Sequence, residues 1–116
     1  MYPTTEPDPQ NPYGISKVRM EQMGREYAAQ HELEIVCIRF GGVNPRNRPP
    51  EDSWEKTHWF SHEDLLDLFN TILSSPTVPH RFTVMYAISP NSESYLNTKN
   101  PWNWIPKDNP DIFPRR

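Results

Sequence analysis

The chain has 116 residues, of which 14 are proline and only 4 are glycine, and its formal net charge is −3. This length allows one small domain, and the hydrophobic fraction of 34% predicts a thin core. With 12 basic and 15 acidic residues the chain lacks the positive field that gathers nucleic acid or anionic lipid, so we exclude both as partners.

The sequence carries no sign of a membrane span or a signal peptide. Its longest apolar run, residues 35–38, is too short to cross a bilayer, and the first six residues lack the basic and apolar regions of a secretory leader. We therefore expect a cytoplasmic protein. The single Cys37 has no second thiol for a disulfide or a CxxC pair, and we interpret it as a small hydrophobic residue in a strand.

A proline-rich opening leads into the first predicted helix. Residues 1–12 contain four prolines, so we expect an extended arm over 1–10 that packs poorly by itself. Asn11 offers an N-cap side chain, and Pro12 takes the first helical position, where its missing N–H costs nothing. Apolar residues recur at roughly helical spacing, which predicts a helix that ends near Gln30.

A buried strand and a long loop come next. Residues 33–40 are β-branched and almost continuously apolar, which is typical of a parallel strand covered on both faces. Residues 41–57 contain three prolines and two arginines and are predicted to form a long surface loop. Loops of this length are usually functional or disordered.

The remaining elements are a second helix, a second strand and an irregular tail. The helix begins at Ser61, whose hydroxyl can accept a hydrogen bond from the Asp64 N–H. Its apolar face consists of Leu65, Leu66, Phe69, Ile72 and Leu73. The strand is predicted over 81–89, and residues 90–116 are expected to be irregular apart from one helical turn near 94–96.

The order helix, strand, helix, strand over residues 11–89 predicts an α/β fold with a parallel sheet. We expect residues 1–116 to form a single incomplete domain, because two strands cannot make a sheet covered on both faces and the strand before the first helix is missing. The four glycines form neither GxGxxG nor GxxxxGK, so no phosphate-cradling turn is predicted.

Tyr13 and Lys17 have the spacing YxxxK, which brings the two side chains to the same side of a helix. An ammonium held near a phenol favours the phenolate. Such a phenol can give or take the proton of a hydroxyl while a hydride moves to or from a nicotinamide. Taken alone, the spacing is a weak signal, and a surface contact between tyrosine and lysine would be the preferred interpretation.

Two longer motifs extend this pair. The segment NPYGISK (residues 11–17), a following helix with Glu21, and the segment EIVCIRFGGVNP (34–45) together resemble the second half of an extended short-chain dehydrogenase/reductase of the NAD-dependent epimerase/dehydratase family. Residues 57–65 and 86–92 are similar to the branch that includes uronate dehydrogenases. The resemblance implies the second half of a Rossmann-type fold, with parallel strands, covering helices and a loop-rich C-terminus.

The resemblance also implies roles for individual residues. Tyr13 matches the general acid/base, and Lys17 matches the residue that binds the nicotinamide ribose and tunes the tyrosine. Phe40, Gly41 and Val43 fall where the family's chain passes the nicotinamide end of the cofactor. The expected cofactor is NAD, with NADP left open because the residue that reads the ribose belongs to the missing half.

Three further positions are candidates for substrate binding. Gly42 stands where uronate dehydrogenases have a serine that touches the substrate. Those enzymes hold the sugar carboxylate with an arginine of the next loop, and Arg46 or Arg48 could serve here because a guanidinium pairs a carboxylate through two hydrogen bonds. The alternative is that both arginines are solvated loop charges.

Histidines and tryptophans of the loops have simpler interpretations. His58 and His62 are four residues apart but lack a third ligand nearby in sequence, so we expect no metal site and assign them to capping or lining the substrate loop. The four tryptophans could be a sugar-stacking set, but in a chain short of apolar residues we assign them to the small core of the loops; they are Trp54, Trp59, Trp102 and Trp104.

Two functional hypotheses follow. The first is the substrate-side half of an NAD-dependent sugar or uronate oxidoreductase or epimerase, inactive alone, whose partners are a small sugar or sugar acid and either a second copy or the missing N-terminal half. The family commonly dimerises through a helix bundle that includes the Tyr–Lys helix. The second hypothesis is a non-catalytic truncated chain or pseudoenzyme that only associates with another subunit.

Overall fold

The computed structural model describes residues 11–94 and 96–114, so the arm predicted over 1–10 lies outside the described residues. Its longer elements are α1 (Pro12–Gln30), β1 (Ile35–Phe40), α3 (His62–Leu73) and β2 (Phe82–Ala87). A short helix, α2 (Ser53–Lys56), and a 3-10 turn (Pro79–Arg81) lie in the connections. None of the described helices is both long and apolar enough to span a membrane.

Both long helices begin at the caps that the sequence predicts. The Asn11 side chain accepts a hydrogen bond from the Gly14 N–H at 2.7 Å, and Pro12 occupies the first turn. The Ser61 hydroxyl accepts a hydrogen bond from the Asp64 N–H at 3.0 Å. These local bonds satisfy backbone donors that a helix start leaves unpaired, which is why both starts were predictable.

The two strands pair in parallel, from Ile35 opposite Phe82 to Phe40 opposite Ala87, and this confirms the predicted α/β class. Helix α1 packs closely on the face that carries Ile35 and Phe82, because a side chain at Gly24 would lie 3.3 Å from both of them. On the other face is the core, which consists of Phe60, Leu68, Met85, Ala87 and Trp104. The free Cys37 lies half-buried in β1, as expected of a strand residue.

The prediction of an unstructured loop over residues 41–57 was wrong at α2. The Asp52 carboxylate accepts a hydrogen bond from the Glu55 N–H at 2.9 Å and caps this single turn. The spacing of Asp52 and Glu55 is typical of a helix cap, but the prolines that precede it favoured the prediction of a loop. Of the helical turn predicted near 94–96, Ser94 and Leu96 are not helical, and Tyr95 lies outside the described residues. A turn over residues 91–94 is closed instead by the Ser94 N–H, which donates to the Asn91 carbonyl.

A short segment around Trp59 separates the ends of the two strands. The Gly42 N–H donates to the His58 carbonyl at 2.7 Å, and the Phe60 N–H donates to the Gly42 carbonyl at 2.9 Å. On the other side, the Ser89 N–H donates to the Trp59 carbonyl at 2.6 Å. Residues 88 and 89 therefore leave the predicted strand, because their partner is this inserted segment rather than β1.

Four buried polar side chains join the start of α3 to the end of β2 and to the tail. Ser61 donates to Asp108 at 2.5 Å, and Ser89 donates to Asp64 at 2.6 Å. Asp64 also accepts from the backbone N–H groups of Lys107 and Asp108, at 2.8 and 3.0 Å. These bonds offset the cost of burying the carboxylates and fix the tail against the helix.

Two adjacent glycines offer a matched test of this packing. A Cβ at Gly41 would clash with the His58 carbonyl oxygen and lie 2.6 Å from Ile88 Cγ2, whereas a Cβ at Gly42 would meet nothing within 4 Å. Gly41→Ala should lower the free energy of unfolding by about 3 kcal/mol, because the neighbour is backbone and cannot give way. Gly42→Ala should change it by less than about 0.5 kcal/mol. Urea denaturation of both variants measures the difference, and equal midpoints would contradict it.

Candidate functional site

Tyr13 and Lys17 face one another in the first turns of α1. The Lys17 Nζ lies 5.2 Å from the centre of the Tyr13 ring, so the ammonium contacts the face of the phenol as a cation–π pair. The Ser16 hydroxyl donates to the Tyr13 carbonyl at 2.7 Å and ties the same turn. The Tyr13 side chain is 72% exposed, so its hydroxyl is accessible to a ligand.

Arg39, near the end of β1, holds α1 against the sheet. Its guanidinium donates twice to Glu21, at 2.9 Å each, and once to the Tyr86 hydroxyl of β2 at 3.1 Å. The hydrogen bond to Glu21 is the main cause that raises the pKa of Arg39 above its usual value, so the side chain stays charged at any working pH. Desolvation by burial raises the pKa of the Cys37 thiol above its usual value, and the negative charge of Glu21 raises it further.

A cavity of about 560 Å³ opens where β1 ends. Four consecutive residues predicted to bind cofactor or substrate line it; they are Phe40, Gly41, Gly42 and Val43. Ligands of open α/β sheets bind at the carboxyl ends of the strands, so the position is a suitable one. The absence of a side chain at Gly42 leaves open space beside the chain.

Helix α2 and the residues after it also contribute to the lining of this cavity. Trp54, Glu55 and His58 line it. The Trp54 and His58 rings pack with centroids 4.5 Å apart, and the His58 Nδ1 lies 2.9 Å from the Trp54 carbonyl and 2.8 Å from the Thr57 hydroxyl. Trp54 is 66% exposed, unlike Trp59 and Trp104, which are buried.

Arg46 and Arg48 do not line that cavity. They line a neighbouring one of about 590 Å³, together with Lys56 and Glu51, and Pro50 forms part of both walls. The loop between them is fixed by Asn47, which adopts φ 53° and donates to the Glu63 carboxylate at 2.8 Å. Sequence spacing cannot show this separation because it depends on the turn at Asn47.

His58 and His62 both contact residues of the loop that follows β1. The His62 Nε2 lies 2.7 Å from the Asn44 carbonyl, and His58 packs on Trp54 as described. Within residues 11–94 and 96–114, no group of three or more histidine, cysteine, aspartate or glutamate side chains is arranged to hold a metal ion.

The structure thus brings together Phe40, Gly41, Gly42 and Val43. The cavity is also lined by residues that had no predicted role in the site, among them Glu55 and Arg39. Tyr13 and Lys17 lie on α1, outside the described lining of the cavity. A signal for Arg39 was present, since a charged residue inside an apolar strand needs a buried partner. Its partner Glu21 could not be identified from spacing because 18 residues separate them.

The arrangement matches known proteins in sequence and in fold. Residues 2–59 match the family model described as NAD dependent epimerase/dehydratase family. A uronate dehydrogenase of Pseudomonas syringae pv. tomato is 31% identical over 107 residues, which cover 90% of this chain and 37% of that protein. An NAD-dependent glucose-6-phosphate dehydrogenase of Haloferax volcanii is 30% identical over 91 residues, covering 78% of this chain and 34% of that protein.

Solved structures agree with these matches. The crystal structure of uronate dehydrogenase from Agrobacterium tumefaciens is similar with a TM-score of 0.85 at 26% identity, over 96% of this chain and 41% of that one. A tyrosine-to-alanine mutant of that enzyme, complexed with NAD, has a TM-score of 0.84 at 25% identity, over 96% and 41% of the two chains. The chain spans less than half the length of these relatives.

The contact between Arg39 and Glu21 should be worth more than an ordinary surface ion pair. A double-mutant cycle with Arg39→Met and Glu21→Gln should give a coupling free energy of about 0.5 to 3 kcal/mol, because the pair is bidentate and largely shielded from water. The pair Lys107–Asp67, at 3.9 Å and more exposed, is the control and should give about 0 to 1 kcal/mol. Urea unfolding measures both, and a smaller coupling for Arg39–Glu21 than for the control would refute this role.

Proposed function

The chain belongs to the NAD-dependent epimerase/dehydratase family, and from that membership we propose that it forms the substrate-side half of an NAD-dependent sugar or sugar-acid oxidoreductase or epimerase. The observation that carries the proposal is the contact between Lys17 and the ring of Tyr13 on a helix whose phenol is open to a ligand. Names of the relatives support the substrate class, since they act on uronates or on glucose 6-phosphate.

The cavity beyond β1 suits the nicotinamide end of the cofactor. Phe40 and Val43 give it apolar walls, and a Cβ added at Gly42 would meet no atom within 4 Å, so a flat ring has room there. Phe40, Gly41 and Val43 would line the nicotinamide, and Lys17 would hold its ribose. NAD, when bound, supplies the acceptor or donor for the hydride. The glycine-rich turn that cradles a pyrophosphate is not part of this sequence.

In this proposal Tyr13 moves the proton. Its hydroxyl takes a proton from the reacting hydroxyl of the sugar, or returns one to the carbonyl oxygen, as the hydride transfer requires. Lys17 stabilises the phenolate through its positive charge. Arg39 and Glu21 act as positioning residues, because they fix α1 on the sheet and with it the distance between Tyr13 and the cavity.

Arg46 and Arg48 stay predicted contacts for an anionic group of the substrate. Their cavity also contains Lys56, so three cations face a single carboxylate, that of Glu51, among its described lining residues. A sugar acid that uses them would have to extend past Pro50, which lies between the two cavities.

We also propose that the chain associates through the outer face of α1. Besides Tyr13, four large hydrophobic residues of this helix are exposed; they are Ile15, Met20, Met23 and Tyr27. An apolar helix face of this kind is stabilised when a partner covers it.

Light scattering of the purified chain should therefore show a species larger than one chain, and its melting temperature should rise with concentration. A monomer whose melting is independent of concentration would contradict the association.

The catalytic role of Tyr13 can be tested in the chain joined to the upstream half of a related family member. Tyr13→Phe keeps the ring but removes the hydroxyl, so kcat should fall about 100- to 10,000-fold. Lys17→Met should weaken cofactor binding, because it removes the ammonium that would hold the nicotinamide ribose.

Tyr27→Phe, on the same helix but without a lysine four residues on, is the matched control and should leave kcat unchanged. If Tyr13→Phe keeps more than a tenth of the parent rate and Lys17→Met leaves cofactor binding unchanged, the pair is a surface contact. The alternative of a non-catalytic chain that only associates would then replace the proposal.

A further inference from the structure

The cavity at the end of β1 is poorly suited to a negatively charged group. Arg39 is the only lysine or arginine among its described lining residues, and its guanidinium is shared with Glu21 and the Tyr86 hydroxyl. Glu55 also lines the cavity and adds a carboxylate. A carboxylate or phosphate placed here would meet a like charge and no described lysine or arginine free of a carboxylate partner, which disfavours binding.

The same cavity offers an aromatic surface to a ligand. Trp54 lines it with 66% of its side chain exposed, and the His58 ring supports it at 4.5 Å between centroids. His58 is itself fixed by contacts of its Nδ1 with the Trp54 carbonyl and the Thr57 hydroxyl. The indole is therefore held in place while much of its surface stays open, so little ordering is required when a ligand packs on it.

We propose that this cavity binds an uncharged pyranose, with the C–H face of the sugar ring packed on Trp54 and ring hydroxyls donating to the Glu55 carboxylate. A pyranose combines an apolar C–H face with hydroxyl donors, which fits a pocket of one aromatic wall and a few polar groups. Trp54 and Glu55 both belong to α2, so the sugar would lie beside the space at Gly42 that the proposed function gives to the nicotinamide ring. The inference rests on the proposed function and narrows its substrate from sugars and sugar acids to uncharged sugars.

The test compares two glycosides that differ only at C6. Methyl β-D-glucopyranoside is uncharged, and methyl β-D-glucuronide carries a carboxylate at the same carbon. Each is titrated into the 116-residue chain while the indole N–H signal of Trp54 is followed by NMR, assigned by its loss in Trp54→Ala. The glucopyranoside should shift this signal with a Kd of about 1 mM or more, since one stacked ring and few hydrogen bonds bind weakly. The glucuronide should bind at least about fivefold more weakly.

Two variants separate stacking from charge. Trp54→Ala should abolish the glucopyranoside-induced shifts of the backbone signals of Gly42 and Val43. Leu66→Ala is the control and should leave these shifts in place, because Leu66 is as exposed as Trp54 but lies on α3, outside the cavity lining. Glu55→Gln should bring the glucuronide closer to the glucopyranoside in affinity, because the like charge is removed.

Equal or tighter binding of the glucuronide would overturn the inference and return the carboxylate role to Arg46 or Arg48. Absence of any glucopyranoside-induced shift in the parent chain would overturn it as well. The titration measures binding without turnover, so its failure leaves proton transfer by Tyr13 standing. Conversely, an inactive joined enzyme that still binds the glucopyranoside through Trp54 would refute the proposed reaction and keep the substrate assignment.

Discussion

The close approach of the His58 carbonyl to Gly41 is the constraint on which the functional end of this molecule depends. Gly41 has no side chain, so the chain around His58 can pass directly over it and bond to the neighbouring Gly42 N–H at 2.7 Å. This contact seats Trp59 between the ends of the two strands. It also fixes His58, and through it Trp54, at the edge of the cavity. One missing methyl group therefore decides the shape of the site.

The buried polar cluster provides the second support. Asp64 accepts three hydrogen bonds, from the Ser89 hydroxyl and from the backbone of Lys107 and Asp108, so its burial does not leave the carboxylate unsatisfied. Because Ser61 both caps α3 and donates to Asp108, the start of the helix and the tail are fixed together. A tail rich in proline thereby becomes part of the fold without regular secondary structure.

Arg39 contacts α1 and also lines the cavity at the end of β1. Its bonds to Glu21 and Tyr86 join the helix that carries the Tyr–Lys pair to both strands. The same bonds pair Arg39, the only arginine among the described lining residues of the cavity, with a carboxylate on α1. In the proposed function this arginine positions the helix, and the exposed ring of Trp54 is the surface proposed to contact the sugar.

The sequence by itself determined the features that depend on neighbours a few residues away. Asn11 and Ser61 cap their helices through bonds to backbone three residues on, the apolar run over 35–38 indicates strand β1, and the spacing of Tyr13 and Lys17 brings them together on one helix. Only the tertiary structure decided what surrounds the cavity. Arg46 and Arg48 follow Gly42 closely in the sequence, which is why both were candidates for substrate binding. They nevertheless line another cavity, in a loop that turns at Asn47.

Gly41 and Gly42 are alike in the sequence, but one is crowded and the other faces open space. The difference comes from His58, which is 17 positions further along the chain, and from Ile88 of the segment after β2. Contacts over such separations depend on how the helices and strands pack, and local sequence patterns carry no information about them.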